Sequence, residues 1–200
     1  TDSFTLTQTF DTKDAGVGKS LIPHAVISVG NANNYAITYV NDTTGEITAI
    51  ELTVSNVTAN SRIYDGTTNV TLNTGTAALV GVLGTDNVTL TGTAAGAFTN
   101  KNVGPLKAVT VTGFTLGGTA AGNYFLTQPD YVTATITARP ITVSAQQNIK
   151  IYDGTTSSAV IPSITAGSLA VGDTANFTQT YDTQNVGTSK TLTPSGAVND

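Results

Sequence analysis

Lysine, asparagine and aspartate are the residues with which this chain could carry out covalent chemistry. Lys19, Lys107 and Lys190 share one position in an internal pattern, three residues after a glycine. A desolvated neutral lysine can attack an asparagine side chain and form an isopeptide bond if a carboxylic acid transfers the protons. Asn123 and Asp65 are candidate partners for Lys107. The favoured interpretation is a lysine that packs its stem on a sheet and pairs with a turn aspartate.

Two copies of a Tyr-Asp-Gly-Thr-Thr segment, beginning at Tyr64 and Tyr152, place a carboxylate beside an aromatic ring. Such a pair can bind a metal ion or a sugar. However, Asp-Gly makes a tight turn in which Asp bonds the backbone two residues on, and a buried Tyr keeps its hydroxyl near a polar partner. We therefore expect a structural motif. Its residues are Tyr64, Asp65, Gly66, Tyr152, Asp153 and Gly154, with Asn102, Gly104, Asn185 and Gly187 of a second recurring turn.

Residues for other catalytic or metal sites are scarce. Cysteine is absent, which excludes thiolate metal sites and cysteine nucleophiles, and His24 is the only histidine. With so little histidine and only two glutamates, a Ser-His-Asp triad or a glycosidase is poorly supported. Asp86 and Asp173 occupy matching turns and are the candidate calcium ligands, although each stands alone. The sequence predicts no enzymatic activity and no cofactor, calcium being the one metal considered.

Internal repetition is the strongest organising signal in the chain. The segment that begins at Tyr64 returns 88 residues later, and those that begin at Asn34, Ile47 and Leu52 return 89 residues later. The landmarks predict the C-terminal half of a repeat at 1–49, a complete repeat at 50–138 and the N-terminal half of a repeat at 139–200. Arg139-Pro140 follows a strand-like segment without a long linker, so neighbouring modules are expected to be joined tightly.

Apolar residues alternate with Thr or Ser at 52–54, 88–90, 109–111 and 132–136. This period of two predicts strands with one buried face, and Gly- and Asn-containing turns separate them. The chain also has 40 threonines and few strong helix formers. We predict an all-β fold of tandem small, Ig-like β-sandwich modules. A β-grasp-like, mostly-β module with one short helix over 76–82 is the alternative.

Charge and hydropathy limit the partners. The net charge is −5 and the eight basic residues are spread thinly, whereas nucleic-acid binding needs clustered Lys and Arg. No apolar run approaches the roughly 20 residues that span a bilayer. We expect neither nucleic-acid binding nor membrane insertion. A chain rich in Thr, Asn and Gly without oxidisable sulfur is typical of exported bacterial surface proteins.

The complete repeat resembles the YDG repeats, relatives of the MBG repeats, in four segments: 64–68, the Asn102-Val103-Gly104 turn with Lys107, the strand 109–116 and the closing 121–124. The resemblance implies long arrays in large secreted bacterial exoproteins, often with a filamentous-haemagglutinin-like secretion domain. Such arrays are taken to be stalks of adhesins or of the biofilm matrix, and the family has no established catalytic residues. The chain departs from the pattern at Asp14-Ala15-Gly16 and at Arg62, where the second copy has Lys150.

Two functions follow as expectations. The first is a structural stalk at the bacterial cell surface, which projects a distal binding domain and whose partners are the neighbouring repeats. The alternative is a carbohydrate-binding module that recognises host glycan or matrix polysaccharide through an aromatic platform such as Tyr124-Phe125 or Tyr35 and Tyr39.

The two half-repeats allow three arrangements. They expose apolar faces and unpaired edges, or they associate head to tail with a second copy, since together they supply one repeat. In the third arrangement the folding unit is permuted relative to the repeat, with globules near 1–90 and 91–178. Partner-completed halves around an ordered central module are the favoured arrangement.

Overall fold

A computed structural model describes residues 3–200 and shows an all-β chain, as predicted. The first strands are β1 (Ser3–Phe10), β2 (Gly16–Val29), β3 (Asp42–Ile47), β4 (Ile50–Ser55), β5 (Thr58–Ala59), β6 (Arg62–Ile63), β7 (Asn69–Val70), β8 (Leu72–Asn73) and β9 (Ala78–Val80). The later strands are β10 (Thr89–Phe98), β11 (Gly104–Gly117), β12 (Tyr124–Thr127), β13 (Thr133–Thr137), β14 (Thr142–Ser144), β15 (Ser163–Ala166), β16 (Thr174–Tyr181) and β17 (Leu192–Asn199). Two single-turn 3₁₀ helices lie at Ala32–Asn34 and Ala121–Asn123. Within the described range, no helix is long and apolar enough to cross a bilayer.

The strands form several small sheets. One three-stranded sheet has the order β1-β2-β3, a second has the order β12-β4-β9, and a five-stranded sheet has the order β6-β13-β11-β10-β7. The pairs β5–β8, β14–β15 and β16–β17 are two-stranded. Most of these pairings are antiparallel, but β12 runs parallel to β4 and β13 runs parallel to β6. Strands distant in sequence therefore hold one repeat together.

The strands predicted from alternation are present, but the short helix considered for 76–82 is not formed. Ala78–Val80 is the strand β9, which pairs antiparallel with β4 through Val54 opposite Leu79. Leu79 is half-buried and its two neighbours are exposed. A period of two over three residues is too short to recognise in a sequence, and the pairing with β4 decides the conformation.

Three equivalent hairpins recur along the chain, formed by β1 with β2, β10 with β11, and β16 with β17. Gly113 and Gly196 are equivalent glycines in the second strands of the last two hairpins, with φ of +92° and +123°. A Cβ at Gly113 would lie 2.2 Å from the carbonyl oxygen of Thr93, and one at Gly196 would lie 2.1 Å from that of Asn176. Only glycine permits this approach of the strands.

The chain folds as two compact units. The first contains residues 3–57, 73–95 and 111–130, and the second contains 58–72, 96–110 and 131–200. The first unit buries Leu52, Val54, Val57, Val111, Phe114 and Tyr124. The second unit buries Tyr64, Phe98, Val109, Val132, Ala134, Ile136 and Ala170. Strands of the complete repeat contribute to both cores.

Candidate functional site

The first Tyr-Asp-Gly turn, residues 64–68, is closed by the carboxylate of Asp65. Its Oδ1 accepts hydrogen bonds from the backbone N–H and the hydroxyl of Thr67, both at 2.9 Å. Arg62 forms an ion pair with the same carboxylate and also donates to the Thr67 carbonyl oxygen at 2.5 Å. Burial raises the pKa of Asp65, but the hydrogen bonds from Thr67 and Arg62 outweigh it and leave the pKa below its ordinary value.

The second Tyr-Asp-Gly turn, residues 152–156, repeats this geometry with lysine in place of arginine. Asp153 Oδ1 accepts from the backbone N–H and the hydroxyl of Thr155 at 2.9 Å and from Lys150 Nζ at 2.8 Å. Lys150 Nζ also donates to the Thr155 carbonyl oxygen at 2.8 Å. The Lys150 ammonium and the two bonds from Thr155 lower the pKa of Asp153 to about 2. Arg62 and Lys150 therefore make equivalent contacts, each to the turn aspartate and to a threonine carbonyl oxygen.

The aromatic residue that ends the first strand of a hairpin, β10 or β16, packs on each of these cations. The Arg62 guanidinium lies 5.4 Å from the ring centroid of Phe98, and Lys150 Nζ lies 5.5 Å from that of Tyr181. The backbone N–H groups of the two aromatic residues each donate at 2.8 Å, to Thr68 in the first turn and to Thr156 in the second. Cation, carboxylate, threonine and aromatic ring therefore form one repeated structural unit.

The recurring lysines bridge the loops of the three hairpins. Each lysine donates to the side chain seven residues earlier, in the pairs Lys19–Thr12, Lys107–Asn100 and Lys190–Thr183. The distance from Lys107 Nζ to Asn100 Oδ1 is 2.6 Å. Lys190 Nζ also lies 2.9 Å from Asp182 Oδ1, and its hydrogen bond holds the pKa of Asp182 below the ordinary value. These contacts fix the hairpin loops.

The first joint, within the first unit, connects the half-repeat that ends at residue 49 with the complete repeat. Asn123 Oδ1 accepts from the Ala15 N–H at 2.7 Å, and Asn123 Nδ2 donates to Asp14 Oδ1 at 3.1 Å. Asp86 Oδ1 lies 3.3 Å from Lys13 Nζ, while its Oδ2 accepts from the Tyr124 hydroxyl at 2.7 Å. The Tyr124 and Lys13 bonds lower the pKa of Asp86. Asp86 is therefore held as a carboxylate by one partner from each repeat.

The second joint, within the second unit, connects the complete repeat with residues 139–200. The Tyr64 hydroxyl donates to Asp173 Oδ1 at 3.2 Å, and Lys101 forms an ion pair with Asp200. Arg139 donates through Nε to the Ser168 carbonyl oxygen at 2.5 Å and through Nη1 to the Tyr64 carbonyl oxygen at 3.5 Å. The residue that follows the complete repeat is therefore bound to both sides of the joint.

Residues at equivalent repeat positions lie at both joints, with different partners: Lys13 pairs with Asp86, whereas Lys101 pairs with Asp200 and Asp173 accepts from Tyr64. Asp86 and Asp173 occupy one repeat position, and Lys13 and Lys101 occupy another, 88 residues apart. The YDG domain family matches residues 48–133 and again 137–199. The chain belongs to the YDG domain family. No curated protein and no solved structure matches it. The first match ends at residue 133 and the second begins at residue 137, just before Arg139. The second joint therefore lies between consecutive YDG domains.

The predicted isopeptide residues of the YDG chain have other close partners. Asp65 contacts Arg62 and Thr67, and Asn123 contacts Asp14 and Ala15, as described above. The side-chain amide in contact with Lys107 belongs to Asn100. The side chains in contact with Lys19 and Lys190 carry hydroxyl or carboxylate groups, which cannot release ammonia as an asparagine amide does. The isopeptide bond stays a prediction.

The aspartates considered as calcium ligands serve as hydrogen-bond acceptors at the joints. Within residues 3–200, no group of three or more His, Asp or Glu side chains is close enough to hold a metal ion. His24 stacks on Tyr39, with ring centroids 6.4 Å apart. The chemistry that this arrangement supports is cohesion between repeats through hydrogen bonds and ion pairs.

Two hairpin positions were not predicted from the sequence: the aromatic residue that ends the first strand, and the residue that accepts a hydrogen bond from the recurring lysine. Phe10, Phe98 and Tyr181 each precede a recurring lysine by nine residues, and the acceptors precede it by seven. A fuller alignment of the three hairpins would have found both positions. Gln179 is buried and donates to the Gln146 carbonyl oxygen at 2.7 Å. Its counterpart is Gln8 in the first hairpin and Gly96 in the second, so two of the three hairpins carry this glutamine.

Proposed function

We propose that this chain is a stretch of structural stalk repeats from an extracellular bacterial adhesin or biofilm-matrix exoprotein, which projects a distal binding domain. The observation that carries the proposal is the recurrence of Asp86 and Asp173, with Lys13 and Lys101, at successive joints. In a longer array, each joint would be built from the same repeat positions. Directly bonded joints are what a spacer requires, because a flexible linker at any joint would shorten its reach.

The first test measures the stiffness of one joint. The absence of cysteine permits spin labels at Thr7→Cys and Thr119→Cys, exposed positions on the two repeats that meet at the first joint. Pulsed electron resonance is expected to give one narrow distance distribution. Asp86→Ala removes the acceptor shared by Lys13 and Tyr124 and should broaden it. Asp130→Ala, at an exposed carboxylate of the same unit outside the joint, is the matched control.

A broad distribution in the unmodified chain would contradict the spacer proposal. The extracellular assignment has its own test: antibodies raised against the chain should label intact, unpermeabilised cells of the source bacterium. Labelling that requires permeabilisation would overturn that assignment.

Carbohydrate binding is the second candidate function, favoured by partly exposed aromatic rings in the first unit. Tyr35 and Tyr39 are both exposed; Tyr35 meets Phe4 edge to face at 5.6 Å, and Tyr39 stacks on His24. Exposed rings of this kind can stack on sugars. A glycan array distinguishes the candidates: saturable binding that Tyr39→Ala abolishes would favour a binding module, whereas the spacer proposal expects no saturable binding.

A further inference from the structure

Asp86 and Asp173 end the same kind of turn in consecutive repeats. The Asp86 N–H donates to the Leu83 carbonyl oxygen at 3.1 Å, and the Asp173 N–H donates to the Ala170 carbonyl oxygen at 3.2 Å. In each turn the acceptor residue lies three positions before the aspartate. The equivalence of the two aspartates therefore holds in the structure as well as in the sequence.

The two aspartates accept from tyrosines at different repeat positions. At the first joint, Asp86 Oδ2 accepts at 2.7 Å from Tyr124, which belongs to the same repeat as Asp86. At the second joint, Asp173 Oδ1 accepts at 3.2 Å from Tyr64, which belongs to the preceding repeat. Each joint therefore shows one of two tyrosine contacts that the repeat can supply.

The second tyrosine of each joint corresponds to a position outside the 200 residues. The counterpart of Tyr64 for the first joint would lie 88 residues earlier, before residue 1, and the counterpart of Tyr124 for the second joint would follow residue 200. A carboxylate has about four acceptor positions on its two oxygens. Asp86 has two donors, Lys13 and Tyr124, and therefore retains acceptor capacity for a second tyrosine.

A cavity of about 390 Å³ lies beside Asp86 in the first unit, with Leu83 and Lys13 in its lining. Leu83 is 56% exposed, whereas its equivalent at the second joint, Ala170, is 7% exposed. The same position of the aspartate turn is therefore exposed at one joint and covered at the other. An apolar wall beside a carboxylate suits tyrosine, which has an apolar ring and a polar tip.

The first Tyr-Asp-Gly turn is what covers this position at the second joint. A Cβ at Gly66 would lie 3.5 Å from the Ala170 Cβ and 3.0 Å from the Val171 carbonyl oxygen, so the turn packs directly on these residues. Tyr64 is buried in the same contact. The cavity beside Asp86 therefore corresponds to the position that a Tyr-Asp-Gly turn occupies at the second joint.

We propose that, in the array of the proposed function on which this inference rests, each joint aspartate accepts from two tyrosines, one in its own repeat and one in the Tyr-Asp-Gly turn of the preceding repeat. The contact of Asp86 with Tyr124 represents the first kind of bond, and the contact of Asp173 with Tyr64 represents the second. One carboxylate then connects three segments of two repeats. The partner of each Tyr-Asp-Gly turn is thus the aspartate turn of the next repeat.

An extended chain tests whether a preceding turn fills the cavity. A copy of residues 50–88 is added before residue 1, which restores the repeat because residue 1 corresponds to residue 89. Leu83→Cys, made only at the original position, gives a single thiol in a chain that otherwise lacks cysteine. This thiol should react with a soluble labelling reagent about tenfold more slowly in the extended chain than in the 200-residue chain, because the added turn covers it.

Ala170→Cys in the 200-residue chain is the control for a covered thiol, since the first Tyr-Asp-Gly turn already packs on Ala170. Equal labelling rates for Leu83→Cys in the extended and the 200-residue chains would overturn the proposal.

Carboxyl-carbon NMR titration of Asp86 tests the hydrogen bond itself. A hydrogen bond from a hydroxyl stabilises a carboxylate and lowers its pKa. In the extended chain, Tyr64→Phe made only in the added copy should therefore raise the pKa of Asp86. Tyr124→Phe is the positive control, because the Tyr124 hydroxyl is the largest cause of the lowered pKa of Asp86.

An unchanged pKa of Asp86 after substitution in the added copy would overturn the two-tyrosine joint. The spin-label distances across the first joint are measured in the 200-residue chain, without the added turn. A narrow distribution there would still support the spacer, so the two proposals can fail separately.

Discussion

The two Tyr-Asp-Gly turns have the same internal chemistry but different surroundings. Both turns close through an aspartate that accepts from a threonine two residues on and from a cation three residues earlier. Tyr64 is nonetheless 8% exposed and bonded to Asp173, whereas Tyr152 is 60% exposed. The turn therefore forms from local interactions, whereas its tyrosine is buried and hydrogen-bonded only where the next repeat packs against it. The motif combines a self-contained turn with a contact for its neighbour.

Truncation of the two tyrosines gives the largest expected difference. Tyr64→Ala removes a buried ring and should lower the free energy of unfolding of the second unit by about 3 kcal/mol. Tyr152→Ala removes an exposed ring and should change it by no more than about 0.5 kcal/mol. Chemical denaturation followed by circular dichroism measures both. Similar losses for the two variants would show that the tyrosine stabilises the turn itself and not the joint.

Substitution of the turn glycines should give a smaller difference. Gly66 and Gly154 have φ of +82° and +74°, so alanine at either position costs about 1–2 kcal/mol in backbone strain. At Gly66 the added Cβ would also lie 3.0 Å from the Val171 carbonyl oxygen, whereas nothing lies within 4 Å at Gly154. Gly66→Ala should therefore destabilise the second unit more than Gly154→Ala. Thermal melting of the two variants compares them, and an equal loss would argue against close packing of the joint on the first turn.

The smallest expected effect is the pH dependence of the second turn. The pKa of Asp153 is lowered from 3.8 to about 2, so its contribution to stability is present above pH 4 and is lost as the pH falls towards 2. Lys150→Ala should raise the pKa of Asp153 towards 3.8, because Lys150 is the largest cause of the shift. Carboxyl-carbon NMR titration measures the change. Lys150→Arg is the control and should retain a low pKa, as arginine occupies the equivalent position in the first turn.

Most of the local structure could be predicted from residue types and their spacing. Alternation at Leu52 and Val54 predicted β4, and Asp-Gly predicted the turn at Asp65 because both signals depend on residues near in sequence. β9 was missed because a three-residue strand has no recognisable period. The contacts of Lys107 with Asn100 and of Asn123 with Asp14 and Ala15 could not be predicted, since a repeat reveals which positions are equivalent without revealing which positions touch.

The sequence by itself determined the all-β class, the repeat and its family, because these follow from composition, alternation and spacing along the chain. Tertiary structure alone decided that Asp86 and Asp173 lie at joints and that Tyr64 is buried while Tyr152 is exposed. These outcomes depend on which distant segments are present to pack and pair. Identical local sequences therefore have different environments in the two copies.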